Sequence, residues 1–221
     1  MLRGGTAGDV IGVGEARADI VVGENLSGRI RGRRASPSLH HATVGVVGES
    51  RIGRLVIAML SAFDIEILVY DPFLTEREAV HLGVRSVGLD ALCADSDIIT
   101  VHAPQLPETA KMIGDEQLRA MRGGAVLINT ARGALVDAEA LTRHCAAGRI
   151  DAVLDVTEPE SLPADHPLLH LPNVVVTPHL AGAKRREVSR LGDFAVAEVE
   201  RFIAGRALLA EVTAGELARI A

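Results

Sequence analysis

From residue 43 onward, short and purely apolar runs alternate with stretches of helical periodicity, and few folds accommodate that alternation. Strands are predicted at 43–47 (TVGVV), 66–70 (EILVY), 84–87, 97–101 (DIITV), 125–129, 152–155 and 174–177. Helices are predicted at 51–63, 75–82, 88–94, 115–121, 136–147 and 183–204. A strand of alternating character can leave one face in water; apolar runs of this kind need cover on both faces. Strands separated by helices then assemble as a parallel sheet between two helical layers, an α/β architecture of the doubly wound type. Aromatic residues are only 2% of the 221 and Trp is absent, so Val, Leu, Ile and Ala must fill the core. The first helix offers Ile52, Leu55, Val56, Met59 and Leu60 as its apolar stripe. The last offers Val188, Leu191, Ala195, Val199 and Phe202, widened by Phe194, at steps of three and four.

Charge and cysteine content narrow the functional classes. A net charge of −6 and few rings for base stacking argue against a nucleic-acid partner. The basic cluster Arg29, Arg31, Arg33 and Arg34 reads as a solvated, glycine-broken arm. Two cysteines, Cys93 and Cys145, make neither a disulfide framework nor a metal cluster, and both fall in helical stretches as buried thiols. No apolar run is long enough to span a bilayer, and the amino terminus lacks a continuous signal core. The expectation is a soluble cytoplasmic protein with no metal, membrane or nucleic-acid partner.

Between the first strand and the first helix lies Gly48-Glu49-Ser50-Arg51-Ile52-Gly53, a GxGxxG dinucleotide fingerprint with serine at its second glycine. The first glycine permits the tight turn, and the last lets the helix pack closely on the sheet. Ser50 adds a Cβ where a pyrophosphate would approach, together with a hydroxyl able to donate to it. Glu49 sets a carboxylate beside an anion-attracting helix start, which is unfavourable unless the side chain turns away. Asp71 closes the next strand, 18 residues after Gly53, where a carboxylate accepts hydrogen bonds from an adenosine ribose diol. The same charge repels a 2′-phosphate, favouring NAD over NADP. These features specify a Rossmann-type doubly wound sheet.

Polar residues also gather where successive strands end. His102-Ala103-Pro104 follows one strand, Asn129-Thr130-Ala131-Arg132-Gly133 another, Asp155 the next, and Thr177-Pro178-His179 the last. Open parallel sheets bind ligands at this carboxyl edge. Singly, Asp155 could cap a loop, Arg132 could be a surface residue and His179 a satisfied histidine. Their shared edge points to a site.

The segment from 43 to about 206 resembles the nucleotide-binding domain of the D-isomer-specific 2-hydroxyacid dehydrogenases. The resemblance rests on VGVVGESRIGR at 44–54, YDP at 70–72, HAP at 102–104 and PET at 107–109. MRGGAVLINTARGALVD at 121–137, LDVTEPE at 154–160 and LPNVVVTPHLAG at 171–182 complete it. It implies an NAD cofactor and a small 2-hydroxy or 2-keto acid substrate. By resemblance, Gly48, Ser50, Arg51, Ile52 and Gly53 form the pyrophosphate loop and Asp71 holds the ribose. His102, Ala103, Pro104, Thr130, Ala131 and Gly182 fall at the family's other cofactor contacts, and Asp155 at its carboxamide-holding position. Arg132 matches the arginine that grips the substrate's carboxylate and ketone oxygen, and His179 the acid–base histidine; both border the cofactor. Glu160 matches the histidine's carboxylate partner, a role that Glu158 fits less well.

The chemistry calls for these residue types. Reduction of a 2-keto acid by hydride leaves an alkoxide that needs a proton, which an imidazolium can supply near neutral pH. A carboxylate against the ring fixes its tautomer and orientation. A guanidinium offers a planar fork for the substrate carboxylate and positive charge near the developing oxyanion.

The family carries a substrate-binding domain mainly ahead of its nucleotide domain. Here residues 1–42 stand in that place as an irregular segment, an incomplete remnant with short apolar stretches at 9–13 and 20–22. Gly12-Val13-Gly14 with Asp19 resembles the family's loop for the substrate carboxylate. Residues 43–182 form the NAD-binding domain, and 183–221 the amphipathic helix and tail. Without a full second domain the site would be open to water unless a partner covers it. The apolar stripe of the last helix lacks a full partner in one protomer, which predicts a homodimer or larger assembly. The expected function is NAD-dependent 2-hydroxyacid oxidoreduction; the alternative is a non-catalytic NAD-binding or assembly module of the same fold.

Overall fold

The computed structural model describes residues 40–184 and 186–213. The candidate strands at 9–13 and 20–22, the Gly12–Gly14 loop with Asp19, and the arginine-rich arm lie outside those residues. Among the described residues, seven parallel strands form one sheet: β1 (Thr43–Val47), β2 (Glu66–Tyr70), β3 (Arg85–Ser86), β4 (Ile98–Val101), β5 (Val126–Asn129), β6 (Asp151–Leu154) and β7 (Val174–Val176). Their order across the sheet is β3-β2-β1-β4-β5-β6-β7. From β1, inside the sheet, the chain runs outward to β3, returns to β4 and runs outward the other way. The direction of winding therefore reverses between β1 and β4, which opens a crevice beyond their carboxyl ends.

Among the described residues, six helices connect and flank the strands: α1 (Arg51–Leu60), α2 (Glu76–Leu82), α3 (Leu89–Asp95), α4 (Asp115–Ala120), α5 (Ala138–Ala146) and α6 (Arg186–Ile203). Three of their starts carry side-chain caps. Ser50 caps α1 and Asp137 caps α5; Thr75 and Glu78 close a capping box on α2, which Gly83 ends in the left-handed conformation. The helix expected from 136 begins at Ala138 because Gly133–Leu135 forms a separate 3-10 turn and Asp137 becomes the cap. The strand expected at 152–155 is shifted by one residue: Asp151 pairs with Val126, and Asp155 is the first residue beyond β6. The main core brings Leu68, Ile99, Leu127 and Leu154 of the sheet together with Leu92, Leu118 and Leu141 of the helices. Cys93 and Cys145 are buried free thiols, and burial pushes both up to about 12.

The first helix corrects the expected stripe. A Cβ on Gly53 would lie 2.1 Å from the Gly48 carbonyl oxygen, so this face must point at the turn and the sheet. Gly53 and Ile57 are buried in consequence, with Val56 and Leu60 half-buried, while Ile52, Leu55 and Met59 are exposed. Helix α6 spans nearly the expected residues, and its apolar residues Val188, Leu191, Phe194, Val199 and Phe202 are all exposed. Among the described residues, no helix is long and apolar enough to cross a membrane.

Candidate active site

The glycine turn sits at the crevice. Gly48 has φ 96°, and a Cβ there would meet the Ala103 backbone nitrogen at 2.5 Å. Only glycine allows the exits of β1 and β4 to come this close. Gly48 N–H donates to Tyr70 O, which joins the turn to the end of β2 as well. Ser50 Oγ accepts from Gly53 N–H at 3.1 Å, so the residue replacing the second glycine caps the helix that follows. Arg51 and Ile52 occupy the exposed first turn of α1, where backbone N–H groups lack intrahelical acceptors and favour an anion.

Glu49 does not oppose such an anion. Its carboxylate contacts Arg54 Nε at 2.5 Å and Arg54 Nη2 at 2.9 Å, and the side chain is almost entirely covered. Burial raises the Glu49 carboxyl above the ordinary range, while Arg54 pulls in the opposite direction. Asp71 accepts Glu49 N–H on one oxygen at 2.8 Å and Phe73 N–H on the other at 2.9 Å. These bonds fix its carboxylate at the rim of the turn. A helix start freed of opposing charge, a glycine cradle and an oriented carboxylate fit a dinucleotide. On the neighbouring exit the His102 ring is buried against Thr100 Oγ1 at 2.9 Å, and burial lowers its pKa. Ala103 is buried; Pro104 is half-buried, its carbonyl accepting from Thr109 Oγ1.

A second cluster stands at the ends of β6 and β7. Asp155 is only 5% exposed, yet three donors converge on it: Thr177 Oγ1 at 2.5 Å and Leu180 N–H at 2.7 Å on Oδ1, Ala181 N–H at 2.8 Å on Oδ2. Burial pushes the carboxyl upward, and the hydrogen bonds from Thr177, Ala181 and Leu180 outweigh it, so its pKa is lowered. His179 N–H donates to the Asp155 carbonyl at 3.0 Å. The loop thus held carries His179 at φ 51°, a conformation uncommon for a histidine and sustained by the surrounding bonds. From it, His179 Nδ1 reaches Glu160 Oε1 at 2.6 Å. Side-chain exposures of 45% for the histidine and 64% for the glutamate leave the pair open to solvent. Gly182 lies beside the ring, since a Cβ there would sit 3.9 Å from its Nε2.

Arg132 enters from the end of β5. Asn129, 1% exposed, accepts Ala131 N–H at 3.0 Å and donates to Arg132 O at 2.8 Å, which shapes the half-buried Thr130–Ala131 bend and presents the exposed Arg132. A Cβ on Gly133 would fall 2.1 Å from the Thr157 carbonyl carbon, so the arginine loop lies directly against the loop leading to Glu160. Thr157 Oγ1 donates to Pro159 O at 2.8 Å and Glu160 O at 3.0 Å, folding that loop on itself. Glu160 is the carboxylate on the ring, and no contact with His179 is found for Glu158 among the described residues. The positioning residues Asn129, Thr157 and Thr177 were not assigned roles from the sequence. Two of them carried a signal there: Asn129 ends an apolar strand and Thr177 follows one.

Comparison with known proteins accords with this geometry. Residues 14–181 match the D-isomer specific 2-hydroxyacid dehydrogenase, NAD binding domain, family. The chain is 42% identical over 155 residues to a D-3-phosphoglycerate dehydrogenase of Archaeoglobus fulgidus, covering 70% of this chain and 29% of that protein. It is 42% identical over 164 residues to a glyoxylate reductase of Korarchaeum cryptofilum, covering 74% and 49% respectively. The crystal structure of D-lactate dehydrogenase with NAD+ from Lactobacillus jensenii superposes with a TM-score of 0.67 at 30% identity, over 78% of this chain and 56% of that one. The chain thus spans between about a third and a half of the length of these curated relatives. A match over most of its residues, on a parallel doubly wound sheet, makes this chain a member of the D-isomer-specific 2-hydroxyacid dehydrogenases through their NAD-binding domain.

Proposed function

We propose that the chain supplies the nucleotide-binding and acid–base half of an NAD-dependent oxidoreductase acting on a small D-2-hydroxy acid or its 2-keto counterpart. The observation that carries this reading is the His179–Glu160 hydrogen bond at the edge that also bears Arg132 and the glycine turn. The nicotinamide, when bound, supplies or accepts the hydride. In this reading the Gly48–Gly53 turn and first helical amides hold the pyrophosphate, and Asp71 orients the ribose. The 102–104 and 130–131 exits and Gly182 border the cofactor, His102 through its backbone because its ring faces Thr100. Asp155 has a free lone-pair position for a carboxamide in addition to its loop contacts. Arg132 grips the substrate carboxylate and stabilises negative charge on the keto oxygen. His179 gives that oxygen a proton in reduction and takes it back in oxidation, with Glu160 fixing Nδ1 so that Nε2 faces the substrate.

The open pair and the partial coverage of the relatives favour a second reading, an NAD-binding module without turnover of its own. Calorimetric titration with NADH, followed by a panel of 2-keto acids monitored by NADH absorbance, separates the two. Binding with turnover of at least one keto acid is expected; binding with none across the panel establishes the module, and no NADH binding overturns both.

We also infer a homodimer. The exposed ridge of α6 and the exposed apolar residues Ile52, Leu55 and Met59 of α1 are surfaces that a soluble monomer rarely leaves uncovered. Sedimentation at micromolar concentration is expected to give twice the 23.3 kDa chain mass. A single-chain mass would refute the assembly. Two buried free thiols accord with a reducing compartment, and we place the protein in the cytoplasm.

A further inference from the structure

We propose that His40, His41 and Asp64 form a binding site for a divalent transition-metal ion, zinc foremost, at the amino edge of the sheet. This is the edge opposite the one that carries the glycine turn and His179. The two histidines stand in the turn leading into β1, and Asp64 stands in the turn leading into β2. Thr43 pairs with Glu66, and His41 N–H donates to the Asp64 carbonyl at 3.0 Å, so these two turns are held side by side.

The side chains converge on one atom. Asp64 Oδ2 lies 3.7 Å from His40 Nδ1 and 3.4 Å from His41 Nδ1, and ligand atoms of all three residues fall within 4.8 Å of one another. A direct charge-assisted hydrogen bond would be shorter, about 2.7–2.9 Å. Ligand atoms placed 2.0–2.1 Å from a tetrahedral zinc ion are separated by about 3.4 Å, close to the two spacings measured to Asp64. The imidazole centroids are 3.8 Å apart with a 37° tilt, and His41 has φ 58°, an uncommon backbone state for a histidine. The geometry therefore suits a shared cation better than two ion pairs.

Donor chemistry selects the metal. Two imidazoles and one carboxylate suit zinc, nickel or copper(II), whereas magnesium and calcium prefer oxygen-only shells. Three protein ligands leave a position for water or a small anion. An open groove of about 540 Å³, lined by His41, Asp64, Glu66 and Arg85 among others, provides the space. All three ligands are exposed, so binding on the order of micromolar is expected. The ion would clamp the segment leading into β1 to the turn leading into β2, a structural role remote from hydride transfer. Sequence spacing concealed the site because Asp64 follows His41 by 23 residues and only the sheet brings them together.

Untagged, chelator-treated protein titrated with zinc in a calorimeter tests the proposal. One zinc per chain is expected, with affinity falling at least tenfold in each of H40A, H41N and D64N; asparagine at 41 tolerates the left-handed backbone. Zinc should raise the melting temperature of the wild type and leave that of the triple variant unchanged. H179N should bind zinc as the wild type does, which separates this site from the His179–Glu160 pair. Copper(II) paramagnetic resonance of the wild type, which does not depend on any variant folding, should show two nitrogen ligands. Zinc binding no tighter than about 1 mM, affinity retained in the triple variant, or a copper spectrum without nitrogen ligands would each overturn the assignment.

Discussion

Replacing His179 by asparagine is expected to slow reduction of a 2-keto acid by about 10²–10⁴-fold, the range lost when a positioned acid–base group is removed. Asparagine is the informative choice. It tolerates the positive φ of 51° at this position, so the loop should keep its course while the titrating imidazole disappears. The pyrophosphate and ribose contacts proposed at the glycine turn and Asp71 belong to β1 and β2, away from β7, and asparagine keeps the course of the loop that bonds Asp155 and carries Gly182, so NADH affinity should stay within about threefold, a change well under 1 kcal/mol. The measurement is steady-state kcat beside calorimetric NADH binding in the same preparation. Loss of both would mean that the substitution has damaged the domain. An unchanged kcat would remove His179 from the chemistry.

The second large effect concerns Asp155. Its two oxygens take three donors, Thr177 Oγ1 and the amides of Leu180 and Ala181. An asparagine has one acceptor oxygen, so its NH₂ must face at least one donor in a nearly buried place. Weakening a set of hydrogen bonds to a charged group and leaving a buried donor unpaired costs about 3 kcal/mol. For a domain of this size the D155N melting temperature should fall by roughly 6–12 °C at neutral pH. The pH dependence has a definite sign. The folded pKa of Asp155 is lowered, so its contribution is complete above the unfolded value of about 4 and is lost as the pH falls through the lower folded value. The gap between wild type and D155N should therefore narrow in acid. A gap that stays constant from pH 7 to about pH 3 would show that the carboxylate charge contributes nothing.

The fold was largely legible in the sequence because its periods are local. Runs such as TVGVV and DIITV can hardly be anything but strands covered on both faces, and β1 and β4 lie close to where those runs fall. Element ends and helix faces were less legible, since they depend on contacts distant in the chain. The stripe assigned to α1 failed because Gly53, with no side chain to register in an apolar pattern, is the residue that must face the sheet. Strand β6 was displaced by one because Asp151 looks like a loop residue until it is paired with Val126. In the candidate site the charged residues announced themselves, whereas their supports did not. Thr157 acts only on loop carbonyls, and nothing in its surroundings distinguishes it from an ordinary turn threonine.

One pairing has a further meaning. Strand β7 is Val174-Val175-Val176 set against Ala152-Val153-Leu154, and three identical side chains hold almost no information about alignment. A slide of one residue would carry the imidazole about 3.3 Å along the sheet and turn each valine to the opposite side. Polar residues at both ends remove that ambiguity. Asn173 is tied at its side chain to the carbonyls of Cys145 and Ile150, and Thr177 is tied to Asp155. The valine strand works like a smooth rod between two pins, and the placement of the proton donor is inherited from the pins.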